Sequence, residues 1–233
     1  MASFVKESIE SSNHKCVGMY DPLGNGNYKD LKEIVNKIDG IIDFSHFSLT
    51  EEILKYAIEI NSPLVIATTG HTDEQKLKIE EASKKIAILK ATNTSLGVNI
   101  MNQIVSYATK LLADFDIELI EKHHNRKLDA PSGTAVTLLE VINESFSEKK
   151  NFVYGREGNK KREKNEIGVH AIRAGNIVGE HTVIFSSGDE IIEIKHEALS
   201  RKIFADGAVK AILSLTNKPS GLYLMKDILN INN

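Results

Sequence analysis

IDGIIDFSHFSLTEEILKYAIEINSPLVIATTGHTDEQKLKIEEASKKIAILKAT (38–92) is the stretch whose two periodicities decide the fold. The runs 38–44, 63–69 and 86–92 are short, apolar and rich in β-branched residues, which predicts strands. Between them, 50–60 and 73–85 have helical spacing. Thr50 is a plausible N-cap, and Glu51 and Glu52 fall in the first turn, where carboxylates favour the helix dipole. The near-continuous apolar run PLVIATT (63–69) is the pattern of a strand buried on both faces, as in a parallel sheet. The repeated β-α-β rhythm predicts a doubly wound α/β sheet. Upstream, 2–11 reads as an amphipathic helix with Phe4, Val5 and Ile9 on one side. Residues 15–20 read as a strand ending at Asp21, and PLGNGN (22–27) as a turn.

The second half changes character. A long helix (96–113) leads into a strand, DIELIEKH (116–123), and a helix follows at 133–146. The polar, positive segment 147–166 reads as an exposed, solvated connection. Three close strand-like runs at 167–173, 180–187 and 190–197 predict a mixed or antiparallel sheet. A helix over 206–216 and a short apolar tail close the chain. This gives two domains: 1–95 completed by 206–233, and an α+β unit at 96–205.

Composition narrows the function classes. The 233 residues are enough for a sizeable core, and 41% hydrophobic with 26% charged is ordinary for a globular protein. A net charge of −3 offers no electrostatic footprint for nucleic acid. The single cysteine, Cys16, rules out a disulfide framework, fits a reducing compartment and, within the apolar run 16–20, reads as structural. No apolar run approaches the roughly 18 residues of a membrane span, and the N-terminus lacks an apolar signal core. The expectation is a cytoplasmic protein with neither membrane nor nucleic-acid partners.

The segment EKHHNRKLDAPSGTA (121–135) carries the chemistry. His123, His124, Arg126 and Lys127 cluster proton donors and cations between a strand and a helix. Ser132-Gly133-Thr134 opens that helix, whose first N–H groups and positive dipole end favour an anion. Two readings stand at this point. One is an exposed loop with an ordinary helix start. The other is a site for a small dicarboxylate, with Thr134 and helix N–H groups on one carboxylate, Lys127 or a histidine on the other, and a second donor giving a proton. No cysteine or carboxylate stands at ligand spacing beside the histidines, so no metal is predicted.

The pattern E-x-H-H-x-x-K-x-D-A-P-S-G-T-A resembles the signature of the dihydrodipicolinate reductases. IDFS (42–45), VIATTG (65–70), ATNTSLGVN (91–99), IRAGNIVGEHTVIF (172–185) and HEALSRKIFADGAVKA (196–211) resemble the same family in the same order. The likeness implies a Rossmann-like dinucleotide-binding domain plus an α+β substrate and oligomerisation domain. It implies NADH or NADPH as cofactor, and reduction of 4-hydroxy-tetrahydrodipicolinate in the diaminopimelate route to lysine, by a homotetramer. His123 resembles the catalytic acid–base histidine and Lys127 the proton donor; His124, Gly133 and Thr134 resemble substrate-binding positions. Ala67, Thr68 and Thr69 fall at the family's G-T-T turn against the cofactor, with Ala67 in place of glycine. Ala91, Thr92, Asn93 and Thr94 fall where cofactor and substrate meet, with Thr94 in place of an aromatic. Asp21 sits where an acid takes ribose hydroxyls, and the absence of a following cation favours NADH. An Asp-Pro turn is an equal alternative for Asp21.

The family's G-x-x-G-x-x-G fingerprint precedes its first helix, and only Met1-Ala2 aligns with its end. The sequence leaves a second reading: an impaired homologue that acts only as a dicarboxylate-binding or assembly module.

Overall fold

A computed structural model describes residues 1–228; the end of the predicted tail, 229–233, lies outside the described residues. Contacts divide the chain into two compact units, Met1–Ser95 with the segment from Arg201 on, and Leu96–Ser200. The second boundary falls earlier than 205 because the helix expected from 206 begins at Lys202.

The first unit holds a four-stranded, all-parallel sheet in the order β1-β2-β3-β9. Its strands are β1 (Ile41–Asp43), β2 (Leu64–Ile66), β3 (Ala87–Lys90) and β9 (Gly221–Tyr223). Around it lie helices α1 (Ala2–Ser11), α2 (Thr50–Glu59), α3 (Asp73–Ser83), α6 (Lys202–Leu215) and the short α7 (Met225–Ile228). Strand alternation builds two cores. Leu64, Ile66 and Ile88 pack against Ile53, Leu54 and Ala57 of α2 and Ile79 and Ala82 of α3. Val65, Ala87 and Leu89 pack on the other face against Ala208, Ala211, Ile212 and Leu215 of α6. The sheet is therefore covered on both sides, as a doubly wound domain requires. Close packing of α6 depends on Gly207, where a Cβ would lie 1.8 Å from the Thr94 carbonyl oxygen.

One expected strand is not there. Residues 15–20 form no strand, only an isolated bridge from Tyr20 to Tyr28. An apolar run becomes a strand only when a neighbouring strand takes its backbone groups; among the described residues no strand does so, and only the Met19 carbonyl is met by other backbone, at the Asn27 and Tyr28 N–H groups. Cys16 is half-buried, its thiol toward the Gly18 carbonyl.

The second unit holds a mixed sheet in the order β5-β6-β4-β7-β8. Its strands are β4 (Asp116–His123), β5 (Asn151–Tyr154), β6 (Glu166–Arg173), β7 (Gly179–Ser186) and β8 (Ile191–Ala198). Helices α4 (Leu96–Leu111) and α5 (Gly133–Glu144) belong to the same unit. Residues 147–166 are mostly exposed, as their polarity suggests, but are more ordered than a plain connection. They contain β5, and two of their cations fold back as ion pairs, Arg162 to Asp116 and Glu118, Arg156 to Glu166. Pairing lets charge sit against a sheet that a bare cation would avoid.

Candidate active site

The core-facing side of the second sheet is graded. At one end Ile117, Ile167 and Phe185 are fully buried; next come Leu119, Val169 and Val183. At the other end the same face turns polar. Glu121 and His123 are two residues apart on β4, so their side chains share that face. The parallel register pairs His123 with Arg173 of β6, and the antiparallel register pairs Glu121 with His181 of β7. His181 in turn faces His196 of β8.

Glu121 is completely buried. Its carboxylate accepts from His123 Nδ1 at 2.6 Å, from Arg173 Nη1 at 2.8 Å and Nη2 at 2.6 Å, and from the Ser132 N–H at 3.0 Å. Burial alone would raise its pKa, but the hydrogen bonds and charges of His123 and Arg173 prevail and hold it well below the usual carboxylate range. Arg173 also donates to the Asp129 carbonyl at 2.6 Å, tying the loop to the strand. His181 is buried and stays neutral, its pKa pushed down to about 3 by desolvation and then by His123 nearby. Its Nε2 lies 2.8 Å from Ser132 Oγ, and its ring meets that of His123 edge-on at 5.2 Å between centroids.

The loop from β4 to α5 presents the remaining candidates. The Lys127 ammonium is half-buried and pairs with Asp129 at 2.8 Å. The Asp129 pKa is lowered: desolvation opposes the shift, and the Lys127 hydrogen bond and charge overcome it. His124 and Thr134 are half-buried, and Gly133 is exposed with no atom within 4 Å of where a Cβ would stand. Ser132 caps α5 by accepting from the Ala135 N–H, and the first turn of α5 carries no acid. The start of the helix already holds the buried Glu121 carboxylate on the Ser132 N–H, and its dipole favours negative charge there. Among the described residues no group of three or more His, Cys, Asp or Glu is placed to hold a metal.

In the first unit, Ala67 and Ala91 follow directly on the carboxyl ends of β2 and β3, the edge where doubly wound sheets take ligands. Ala67 N–H donates to Asp43 O, and Ala91 N–H to Ile66 O. Thr68 and Thr94 are buried, and their hydroxyls donate to the carbonyls of Ser45 and Phe204. Thr69 and Thr92 lie in the same two loops, and Asn93 Oδ1 accepts from the Ser95 N–H. Asp21 staples its own loop, with Oδ1 accepting from Leu23 N–H and Oδ2 from the Asn25 amide. A groove lined by Met1, Ala2, Ser3, Lys6, Glu7, Glu10, Met19 and Asn25 runs along α1 beside that loop.

The residues that the sequence left without a role are Glu121, Arg173 and His181; Ser132, read as part of a helix start, also bonds to Glu121 and His181. Alternation along 116–123 places 121 beside 123 on one face. The partners on β6 and β7 become visible only with the strand register.

Comparisons with known proteins bear on the family and the fold. Residues 1–94 match the family described as dihydrodipicolinate reductase, N-terminus, and residues 97–229 its C-terminus. A 4-hydroxy-tetrahydrodipicolinate reductase of Brachyspira hyodysenteriae is 47% identical over 230 residues, 98% of this chain and 95% of the relative. One from Clostridium tetani is 50% identical over 193 residues, 82% of this chain and 76% of the relative. A solved dihydrodipicolinate reductase from Paenisporosarcina sp. TG-14, with dipicolinate bound, shares the fold with a TM-score of 0.74 at 23% identity, covering 99% of this chain and 94% of that one.

Proposed function

Since the chain belongs to the dihydrodipicolinate reductase family, we propose that it reduces 4-hydroxy-tetrahydrodipicolinate to tetrahydrodipicolinate in the diaminopimelate route to lysine. One hydride from NADH or NADPH and one proton enter, and one water leaves. The observation that carries this reading is the convergence of His123 at the end of β4, Lys127 in the loop that follows, and the start of α5, whose own first turn carries no acid.

The residues divide the work. N–H groups at the start of α5, with Gly133 leaving room for approach and Thr134 adding a hydroxyl, bind one carboxylate of a planar dicarboxylate. His124 and Lys127 offset the charge of the other. The bound nicotinamide supplies the hydride. His123 and Lys127 are the groups that deliver a proton to the atom on which negative charge then grows.

The cofactor reading rests on the carboxyl edge of the parallel sheet. Ala67, Thr68, Thr69, Ala91, Thr92, Asn93 and Thr94 gather there as small side chains and backbone polar groups, suited to neutral sugar and amide groups. Asp21 adds a carboxylate with lone pairs left after its loop bonds, suited to ribose hydroxyls. The start of α1 adds a helix N-terminus suited to a pyrophosphate, beside a groove that holds Lys6 together with Glu7 and Glu10.

The sheet face turned away from Glu121 and His123 supports assembly. It combines half-buried Ile120 and Ile184, the more exposed Ile172, and a Lys122–Glu180–Lys195 charge ladder. Homotetramers joined through this face, in the cytoplasm, are the corresponding reading. No described helix is long and apolar enough to cross a membrane.

The direct test is substrate-dependent oxidation of NADH and NADPH, together with melting in pyridine-2,6-dicarboxylate. The dicarboxylate should inhibit competitively and raise Tm, and Thr134→Val should lose part of the rise. An unmoved Tm at millimolar dicarboxylate would overturn the anion site.

A further inference from the structure

The buried carboxylate of Glu121 has a place in the site that its depth in the sheet does not explain. It lies on a face whose other β4 residues, Ile117 and Leu119, are apolar core. An ionised carboxylate is costly there unless it is fully paired. Four donors converge on it, from three separate pieces of backbone: His123 on β4, Arg173 on β6 and Ser132 at the start of α5. The two-pronged contact with Arg173 fixes the carboxylate plane, so its remaining direction toward His123 Nδ1 is fixed too. A plain staple between β4 and β6 needs only Arg173. The short bond to the imidazole is what a staple does not require.

The other side of the ring is equally constrained. His123 Nε2 faces Gly179 of β7, and a Cβ there would lie 3.1 Å from it, closer than comfortable contact. A glycine at this register position leaves Nε2 clear.

We propose that Glu121 is a positioning residue for His123: held by Arg173 and the start of α5, it anchors Nδ1 and makes Nε2 the atom that delivers and takes the proton. This rests on the reading of His123 as the acid–base group. Glu121 touches neither substrate nor cofactor and remains ionised throughout. In the imidazolium, Nδ1–H stays on Glu121 while the Nε2 proton leaves; the neutral ring keeps its hydrogen on Nδ1. The other charged or titratable groups facing the ring are His181 on β7, His196 on β8 behind it, and Lys127 and Asp129 in the loop.

The test reads the ring itself, by long-range proton–nitrogen correlation of the histidine imidazoles across pH, with His123 assigned through His123→Asn. Neutral His123 should carry its hydrogen on Nδ1. Glu121→Gln turns one carboxylate oxygen into an amide NH2. Arg173 Nη2 and the Ser132 N–H both need an oxygen at the Oε1 position, so the NH2 falls at the Oε2 position and meets His123 Nδ1. The neutral ring of that variant should then carry its hydrogen on Nε2. Circular dichroism establishes folding of the variant, and the native tautomer alone decides if it does not fold. A native neutral ring protonated on Nε2, or a Glu121→Gln ring that keeps its hydrogen on Nδ1, would overturn the positioning role. Because turnover is not needed, the two readings separate. An inactive chain with the expected tautomers would sink only the acid–base reading, whereas an active chain with an unmoved tautomer would sink only this inference.

Discussion

Two helices begin with the same device and put it to different uses. Thr72 caps α3 and Ser132 caps α5, each in extended backbone, each accepting a hydrogen bond from the N–H three residues on at 3.2 Å. At α3 the bonds serve the helix start and the turn before α2. The Gln75 side chain closes the capping box on the Thr72 N–H and donates to Phe47 O, and Asp73 and Glu74 already face the positive end of the dipole. At α5 the Ser132 hydroxyl also meets His181, its N–H goes to Glu121, and no acid stands in the first turn. A cap alone therefore says nothing about function. What separates the two is which groups share the cap, and whether the helix has already filled its own positive end.

The largest expected effect breaks the comparison most sharply. His123→Ala and Lys127→Ala, in the loop that feeds α5, should each lower kcat by about 10²–10⁴-fold with the fold intact, the usual size for a lost proton donor. Substitutions at the start of α3 should leave kcat within a few-fold. Steady-state kinetics with matched circular dichroism decide it, and near-native turnover by both loop variants would remove the assignment.

The second effect is on stability and depends on pH. Burial and the nearby His123 hold the folded-state pKa of His181 at about 3, against 6.5 in the open chain. Its contribution is fully present above 6.5. Below that, the unfolded chain takes up a proton that the folded one refuses, and stability falls by about 1.4 kcal/mol per pH unit toward pH 3. His71 and His196 also have lowered values, chiefly through desolvation, and act in the same window. The measure is therefore the difference between native protein and His181→Gln in urea midpoints from pH 7 to 5. Curves that stay parallel would show that His181 takes its proton in the folded state.

Much of this contrast was legible before any coordinates. The strand 116–123 and the helix start at 133 stand as expected, because strict alternation and an S-G-T start are local signals. Glu121 lay in plain view two residues before His123. Its role was hidden because Arg173 and His181 reach it through register, some 50 to 60 positions along the chain, and register is settled by tertiary pairing. The run 15–20 failed for a related reason: apolar residues announce a willing strand, not the neighbour that completes it. Arg162 looked like solvent-facing charge because composition shows a cation but not the carboxylates of Asp116 and Glu118 that it meets. Asp21 is the mixed case, since its Asp-Pro turn is visible in the bonds to Leu23 and Asn25 without deciding what else it accepts.

The smallest expected effect sharpens the comparison at its origin. Thr72→Ala removes one side-chain acceptor from the α3 N–H groups and opens the capping box, at a cost of about 1 kcal/mol. Ser132→Ala removes the equivalent acceptor and also leaves the buried His181 Nε2 without its hydroxyl partner, which adds about 1–3 kcal/mol for an unpaired buried polar atom. Urea midpoints at neutral pH should rank the two variants in that order. The second readout is the dicarboxylate-dependent rise in Tm. Thr72→Ala should keep that rise in full, because the start of α3 is already matched by Asp73 and Glu74. Ser132→Ala should reduce it, because the first N–H groups of α5 lose the cap that aims them. Equal loss of the rise in both variants would mean that the dicarboxylate responds to global stability, and the distinction between the two helix starts would fall.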